Sequence, residues 1–175
     1  MPEKQDKYQK RYVAHQERKK QVLIEIMKAR HSERMFSDQL VDESIIKELI
    51  DCTKLCPSSC DRHGVYTIIV TDRDEKALLG GILVGGVGWI HRAPAILLIM
   101  ADPVAYKAGD EIKFMPYLDA GALISPLYLT ATANKLACCF VNPNIRPMNQ
   151  KHFAEVFGNG MFCGAFAVGH KYEKN

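Results

Sequence analysis

The ten residues APAILLIMAD (Ala93–Asp102) hold no polar side chain until the final aspartate. A strand with one wet face alternates apolar and polar residues. This run does not alternate, so it reads as a strand buried on both faces. A sheet built around it needs cover on each side, and the rest of the chain supplies suitable helices. Tyr117–Lys135 is long, apolar and rich in Ala and Leu. It reads as a central helix too apolar to turn only one face to a sheet, and its second cover would be another layer such as a partner subunit. Pro126 inside it predicts a kink or a restart.

Other segments fall between these two. Val41–Leu55 reads as a helix with Asp42 at its N-cap, stopped by Pro57. VYTIIVTD (Val65–Asp72) is a β-branched strand, followed by a short helix around Glu75–Val84. LACCFVN (Leu136–Asn142) reads as the third strand, Met148–Phe157 as a helix and FCGAFAVGH (Phe162–His170) as the last strand. The order predicts one α+β domain. Its 175 residues can bury roughly 70% of the surface that the unfolded chain exposes. Residues 1–27 form a separate feature, a basic helical arm. Lys4, Lys7, Lys10, Arg11, Arg18, Lys19 and Lys20 face Glu3, Asp6 and Glu17 there, with Tyr8, Tyr12 and His15 as a thin stripe. Residues 28–175 form the main domain.

Charge and composition exclude several classes. Twenty-three basic residues against 20 acidic ones, a net charge of +3, do not make a nucleic-acid binder. The N-terminus is polar where a secretory signal needs an apolar core, and no run approaches the ~20 apolar residues of a membrane span. Six cysteines without such a signal suggest reduced thiols in a cytoplasm.

Three features carry candidate chemistry. Cys52, and Cys56 and Cys60 of the following LCPSSCDRHG (Leu55–Gly64), would align only if the helix ran past Pro57. Buried packing is their better reading, ahead of a metal site. Cys60 as a nucleophile with His63 as its base lacks an orienting third group. GGILVGGVG (Gly80–Gly88) precedes a strand and lacks a Lys-Ser/Thr, so it reads as a mobile connector rather than a phosphate loop. In ARHSERMF (Ala29–Phe36), an extended chain would point Arg30, Ser32 and Arg34 the same way, as two guanidinium forks flanking a hydroxyl. That set suits a phosphate dianion.

Taken in order, these motifs resemble the nitroreductase superfamily of flavin enzymes. Arg30, Ser32, Arg34 and Phe36 match its Arg-x-Ser-x-(Arg/Lys)-x-Phe segment, and Pro57, Ser58 and Ser59 its Pro-Ser-(Ser/Ala)-x-Asn turn. Asp119, Gly121, Leu129 and Leu136 match its central helix and following strand, and FAVGHKYE its last core strand. The resemblance covers about Lys28–Tyr172. It implies a three-layer α+β fold, with a mostly antiparallel central sheet flanked by helices and a long central helix at a homodimer interface.

By the same resemblance the cofactor is FMN. Arg30, His31, Ser32 and Arg34 would hold its phosphate and ribityl chain. Pro57, Ser58, Ser59 and Asp61 would reach it from the other subunit, and Val141 and Asn142 would approach the ring. The implied reaction passes a hydride from NADH or NADPH to a small acceptor, a nitroaromatic compound, a quinone or a specialised metabolite. The cofactor carries the chemistry, so no catalytic side chain and no metal are assigned. The sequence also departs from the pattern. Asp61 replaces the usual Asn, Gly64 and Val65 replace a Pro-Trp continuation, and Lys135 and Ala137 replace two glycines. Pro143 removes an N–H, and the tail offers only Lys171 and Lys174. These departures support an alternative, a binding or scaffolding dimer with weak or lost flavin binding.

Overall fold

The computed structural model describes residues 2–107 and 109–173, with side chains described from residue 9 onward. Lys174 and the side chains of Lys4, Lys7 and Tyr8 lie outside the described residues. The chain divides into two compact units, Met1–Arg30 and His31–Asn175. The first is a single 28-residue helix, α1 (Pro2–Ala29), whose sequence has a charged start, a basic middle, and an apolar end through Val22, Leu23, Ile24, Ile26 and Met27. The division thus falls three residues beyond the arm boundary expected at residue 27.

In the second unit the apolar run is strand β2 (Ala95–Ala101), and all seven residues are buried. It sits inside a four-stranded antiparallel sheet of order β1-β2-β4-β3. The others are β1 (Val65–Val70), β3 (Ala137–Val141) and β4 (Met161–Gly169). Ile99 pairs with Gly164 and Met100 with Phe162, so Cys163 is an extra residue that makes a bulge. Gly164 has φ +137, and a Cβ there would lie 2.4 Å from the Phe140 ring. No other residue type fits that position.

The alternate side chains of β2 enter two separate cores. Ile96, Leu98 and Met100 join Leu79, Ile82, Leu83, Phe153 and Phe157 from helices α3 (Arg73–Ile82) and α5 (Pro147–Phe157) and the residue after α3. Ala95, Leu97, Ile99 and Ala101 join Ile46, Leu49, Ala120, Leu127 and Ala131 from α2 (Glu43–Thr53) and α4 (Glu111–Ala133). The result is three layers, helices on both faces of one sheet.

Three local expectations change. Asp42 occupies the N-cap of α2, but its backbone carbonyl, not its side chain, accepts from Ile45 and Ile46 N–H. Asp72 is the side-chain cap that the sequence reading overlooked, accepting from Asp74 and Glu75 N–H, and α3 accordingly begins two residues early. Helix α4 begins at Glu111 and runs without a restart through Pro116 and Pro126. Burial of its inner side, through Pro116, Ala120, Leu123, Leu127 and Ala131, holds it together across the missing N–H groups. Among the described residues no helix is long and apolar enough to cross a membrane.

Candidate functional site

Helix α2 ends at Thr53, short of the expected Leu55, and after a turn through Cys56 the chain beyond Pro57 makes a tight loop with unusual backbone geometry. Cys60, Asp61 and His63 all adopt left-handed conformations, with φ of 50, 56 and 49°. Each such non-glycine residue costs on the order of 1 kcal/mol or more, and persists only where the surroundings over-determine it.

The surroundings here are specific. Asp119, on the sheet-facing side of α4 and only 5% exposed, accepts from the Ser59 N–H at 2.9 Å. Its other carboxylate oxygen accepts from the Tyr106 hydroxyl at 3.0 Å. Burial first, and then that bond to Asp119, push the Tyr106 hydroxyl well above the usual tyrosine range, so it remains a donor. Arg62 pairs with Glu111 at the start of α4. Gly64 closes the loop by accepting from Asp102 N–H at 2.8 Å. A Cβ on Gly64 would meet Ala105 at 2.7 Å and the Tyr106 ring at 2.9 Å, which explains the glycine where the Pro-Trp continuation is absent.

Within this frame Ser58 Oγ accepts from His63 N–H at 2.9 Å. The His63 imidazole turns to Asp61, with Nε2 2.8 Å from Oδ1. The third group missing from the sequence reading is therefore present, but it orients His63 toward a carboxylate and not toward Cys60. A cavity of about 330 Å³ lies beside the loop, lined by Thr53, Lys54, Cys56, Ser58, His63, Val65, Asp119 and Leu123. Cys56 is buried, Cys52 is half-buried and Cys60 is exposed. Burial pushes both the Cys52 and Cys56 thiols up, which suits packing. Among the described residues no group of three His, Cys, Asp or Glu side chains is placed to hold a metal ion.

The second candidate region is extended from residue 31 onward, the condition on which Ser32 and Arg34 would point the same way. Glu33 N–H donates to Cys138 C=O of β3 at 2.8 Å, Phe36 bridges to Lys171, and Ser37 N–H donates to His170 C=O. These bonds strap residues 33–37 along the end of the sheet. Ser32 Oγ lies 3.0 Å from the Tyr128 hydroxyl, which also accepts from Phe140 N–H at 2.8 Å. Arg34 is exposed and stands 5.6 Å over the Trp89 ring, and Phe36 stacks with Trp89, 6.5 Å between ring centres. Desolvation pushes the Glu33 carboxyl up, but the N–H groups of Met35 and Arg34 and the charges of Lys171 and His31 outweigh it and hold it below its usual range. Arg30 and its backbone belong to the helical unit, whose last turn its N–H closes on Ile26 C=O.

Trp89 ties this region to the glycine-rich stretch, donating from Nε1 to Gly85 C=O at 2.9 Å. That stretch is not a mobile connector. Gly80 and Gly81 lie in α3, Leu83 bridges to Ile145, and Val84 N–H donates to Asn144 C=O. A Cβ on Gly85 would come within 3.2 Å of Val141 and one on Gly86 within 2.9 Å of Ile90, so these glycines permit close packing. Val141 is buried and Asn142 exposed, beside Gly85.

The nitroreductase family model matches residues 27–87, from the end of α1 through the strapped segment, the loop and β1 to the glycines. Two solved structures align over nearly the whole chain. Nitroreductase A from Vibrio parahaemolyticus RIMD 2210633 is 16% identical, covering 87% of this chain and 68% of that one, at a TM-score of 0.76. NfrA2 of B. megaterium is 21% identical, covering 87% of this chain and 67% of that one, at 0.75.

The chain has the nitroreductase-family fold.

The resemblance seen in the motifs and the three-layer α+β architecture it implied are thus both borne out. The sheet is antiparallel throughout, where it was expected to be mostly so. Among curated proteins, the chain is 31% identical over 80 residues to the FMN reductase [NAD(P)H] of Bacillus subtilis (strain 168). That match spans 46% of this chain and 32% of the relative, under a third of its length.

Proposed function

We propose that this nitroreductase-fold protein is an FMN-dependent oxidoreductase, acting as a cytoplasmic homodimer, that takes hydride from NADH or NADPH and reduces a small nitroaromatic, quinone or related metabolite. The observation that carries the reading is the strapped segment. Its backbone bonds to β3 and to the end of β4 fix an exposed guanidinium, Arg34, and an exposed hydroxyl, Ser32, on one extended stretch. The chemistry of that donor set fits a phosphate and a polyol. Ser32 and Arg34 would hold the phosphate and ribityl chain. Arg30 and His31 are assigned to the same cradle on the motif alone. Val141 and Asn142 would border the ring, and Pro57, Ser58, Ser59 and Asp61 would approach it from the partner subunit. Bound FMN would supply the hydride chemistry.

The exposed side of α4 supports the dimer. Phe114, Tyr117 and Leu118 are 49%, 43% and 61% exposed, and Gly121 and Ser125 continue their stripe at helical spacing. A face of that kind on an otherwise packed helix suits burial against a second copy. The alternative, a flavin-free binding dimer, draws support from Pro143, which offers no N–H beside Asn142. The absorbance spectrum of freshly purified protein, followed by FMN titration and anaerobic mixing with NADH and with NADPH, tests the choice. Flavin bands that bleach on mixing are expected. A protein that binds no added FMN would leave the alternative standing.

A further inference from the structure

We infer that His63, oriented by Asp61, is a catalytic proton donor for the acceptor that this protein reduces. The inference rests on the flavin reading above and goes beyond it, because that reading assigns no catalytic side chain. The groups around the loop cavity leave one side chain suited to the role. Asp119 is fully engaged by the Ser59 N–H and the Tyr106 hydroxyl. Lys54 is bound to Asp51 at 2.6 Å. Burial keeps the Cys56 thiol protonated. Ser58 Oγ receives the His63 N–H. His63 itself is half-exposed at 52%, lines the cavity, and is held through Nε2 by the Asp61 carboxylate at 2.8 Å. That bond engages Nε2 and leaves Nδ1, across Cε1, as the second ring nitrogen. A carboxylate on one imidazole nitrogen and a cavity beside the ring is the arrangement of a positioned general acid. The strained loop serves it: three left-handed residues bring Asp61 and His63 into contact although only one residue separates them.

The substrate class follows from the proton count. A quinone that takes two electrons and one proton, as hydride from the reduced cofactor, needs a second proton on its other oxygen. His63 delivers that proton from Nδ1 of the doubly protonated ring, which keeps its other proton on Nε2 toward Asp61, and solvent re-protonates Nδ1. An acceptor such as ferricyanide takes single electrons and no proton, so His63 is irrelevant to it. Asp61 acts through His63 as a positioning residue.

The test compares the FMN-loaded wild type with His63→Asn and Asp61→Asn. Asn is chosen because it tolerates the left-handed backbone at both positions. Stopped-flow mixing measures reduction by NADH, then reoxidation by p-benzoquinone and by ferricyanide. In His63→Asn, reoxidation by p-benzoquinone should fall by at least tenfold, in keeping with the contribution of general acids. Reduction by NADH and reoxidation by ferricyanide should stay within about twofold. Independently of turnover, nitrogen NMR of the neutral His63 ring, the form left after donation, should show its remaining proton fixed on Nε2 in the wild type and shared between both nitrogens in Asp61→Asn. Equal slowing with both acceptors, or no slowing with either, overturns the proton-donor role and spares the flavin reading. An unchanged ring signal in Asp61→Asn overturns the role of Asp61. Failure of the wild type to bind FMN and accept electrons from NADH overturns the flavin reading, and His63's role with it.

Discussion

Removing the carboxylate of Asp119 should unfasten the loop that carries Ser58 to His63. Asp119 is 5% exposed and accepts two hydrogen bonds, one from the Ser59 N–H and one from the Tyr106 hydroxyl. Hydrogen bonds to a charged group contribute roughly 1.5–3 kcal/mol each. Asp119→Ala loses both, about 3–6 kcal/mol, and leaves two donors in a buried site. Relief from burying a charge offsets part of that loss. A net destabilisation of about 3 kcal/mol is expected, a large share of the roughly 5–15 kcal/mol that holds a domain of this kind together. Asp119→Asn should cost about half as much. The Tyr106 hydroxyl can turn and accept from the new amide, so both bonds survive in weaker, neutral form. Urea unfolding at one fixed protein concentration reads the global loss, and hydrogen exchange at the Ser59 amide reads the local one. Tyr106→Phe should cost less in the Asp119→Ala background than in the wild type, by about 1 kcal/mol. An Asp119→Ala protein within about 0.5 kcal/mol of the wild type, with unchanged exchange at Ser59, would refute the clamp.

Other expectations follow from the same geometry. Arg34→Ala should weaken FMN binding by roughly ten- to hundredfold, equal to about 1.5–3 kcal/mol, measured by fluorescence quenching; unchanged affinity would remove Arg34 from the cradle. Gly121 has no atom within 4 Å of its ideal Cβ, so in an isolated chain Gly121→Ala should stabilise α4 by about 1 kcal/mol. If the exposed stripe of α4 is the dimer seam, the added methyl should instead weaken association in sedimentation experiments, and a stabilised, equally tight dimer would exclude that seam. Side-chain hydrogen bonds from Lys47 and Lys54 lower the Asp51 carboxyl from the ordinary 3.8 to about 2. The folded value lies below the unfolded one, so its small stabilising contribution is present above about pH 4 and is lost as pH falls toward 2. Carboxyl-carbon NMR should find that low midpoint in the wild type and a higher one in the Lys47→Ala/Lys54→Ala double variant.

The parts of the fold legible in the sequence were those set by local chemistry. The unbroken apolar run of β2, the β-branched β1 and the long apolar α4 each announce their burial through composition alone. Element ends were less legible. Asp42 and Asp72 look alike in sequence and only the second caps with its side chain, because the cap depends on backbone direction at that point. Prolines 116 and 126 signal a break that tertiary packing overrides. In the site, the alternation of Ser32 and Arg34 mattered only if the segment was extended, and the strapping to Cys138 and His170 that extends it is contact at long range and leaves no local mark. Asp119 was matched to a motif without a role, since its partners lie 60 and 13 positions away. The pairing of His63 with Asp61 did have a signal, an Asp-x-His spacing. That spacing alone does not imply contact, because here the two side chains meet on a backbone that is left-handed at both residues.

The anchors of the loop all belong to one chain: Ser59 to Asp119, Arg62 to Glu111, and Gly64 to Asp102. Its conformation is therefore set when the chain folds, before any partner arrives. Two of the three anchors stand on α4, the helix whose other side carries the exposed Phe114, Tyr117 and Leu118. Leu118 and Asp119 are adjacent and point about 100° apart around the helix, one outward and one into the core. A second copy that covers the outward stripe would thus meet loops already in their final shape, at no further cost in loop entropy at assembly. Pre-organisation of that kind conserves binding free energy that a flexible loop would lose on ordering. The same buried bonds to a packed helix make the strain of three left-handed residues tolerable.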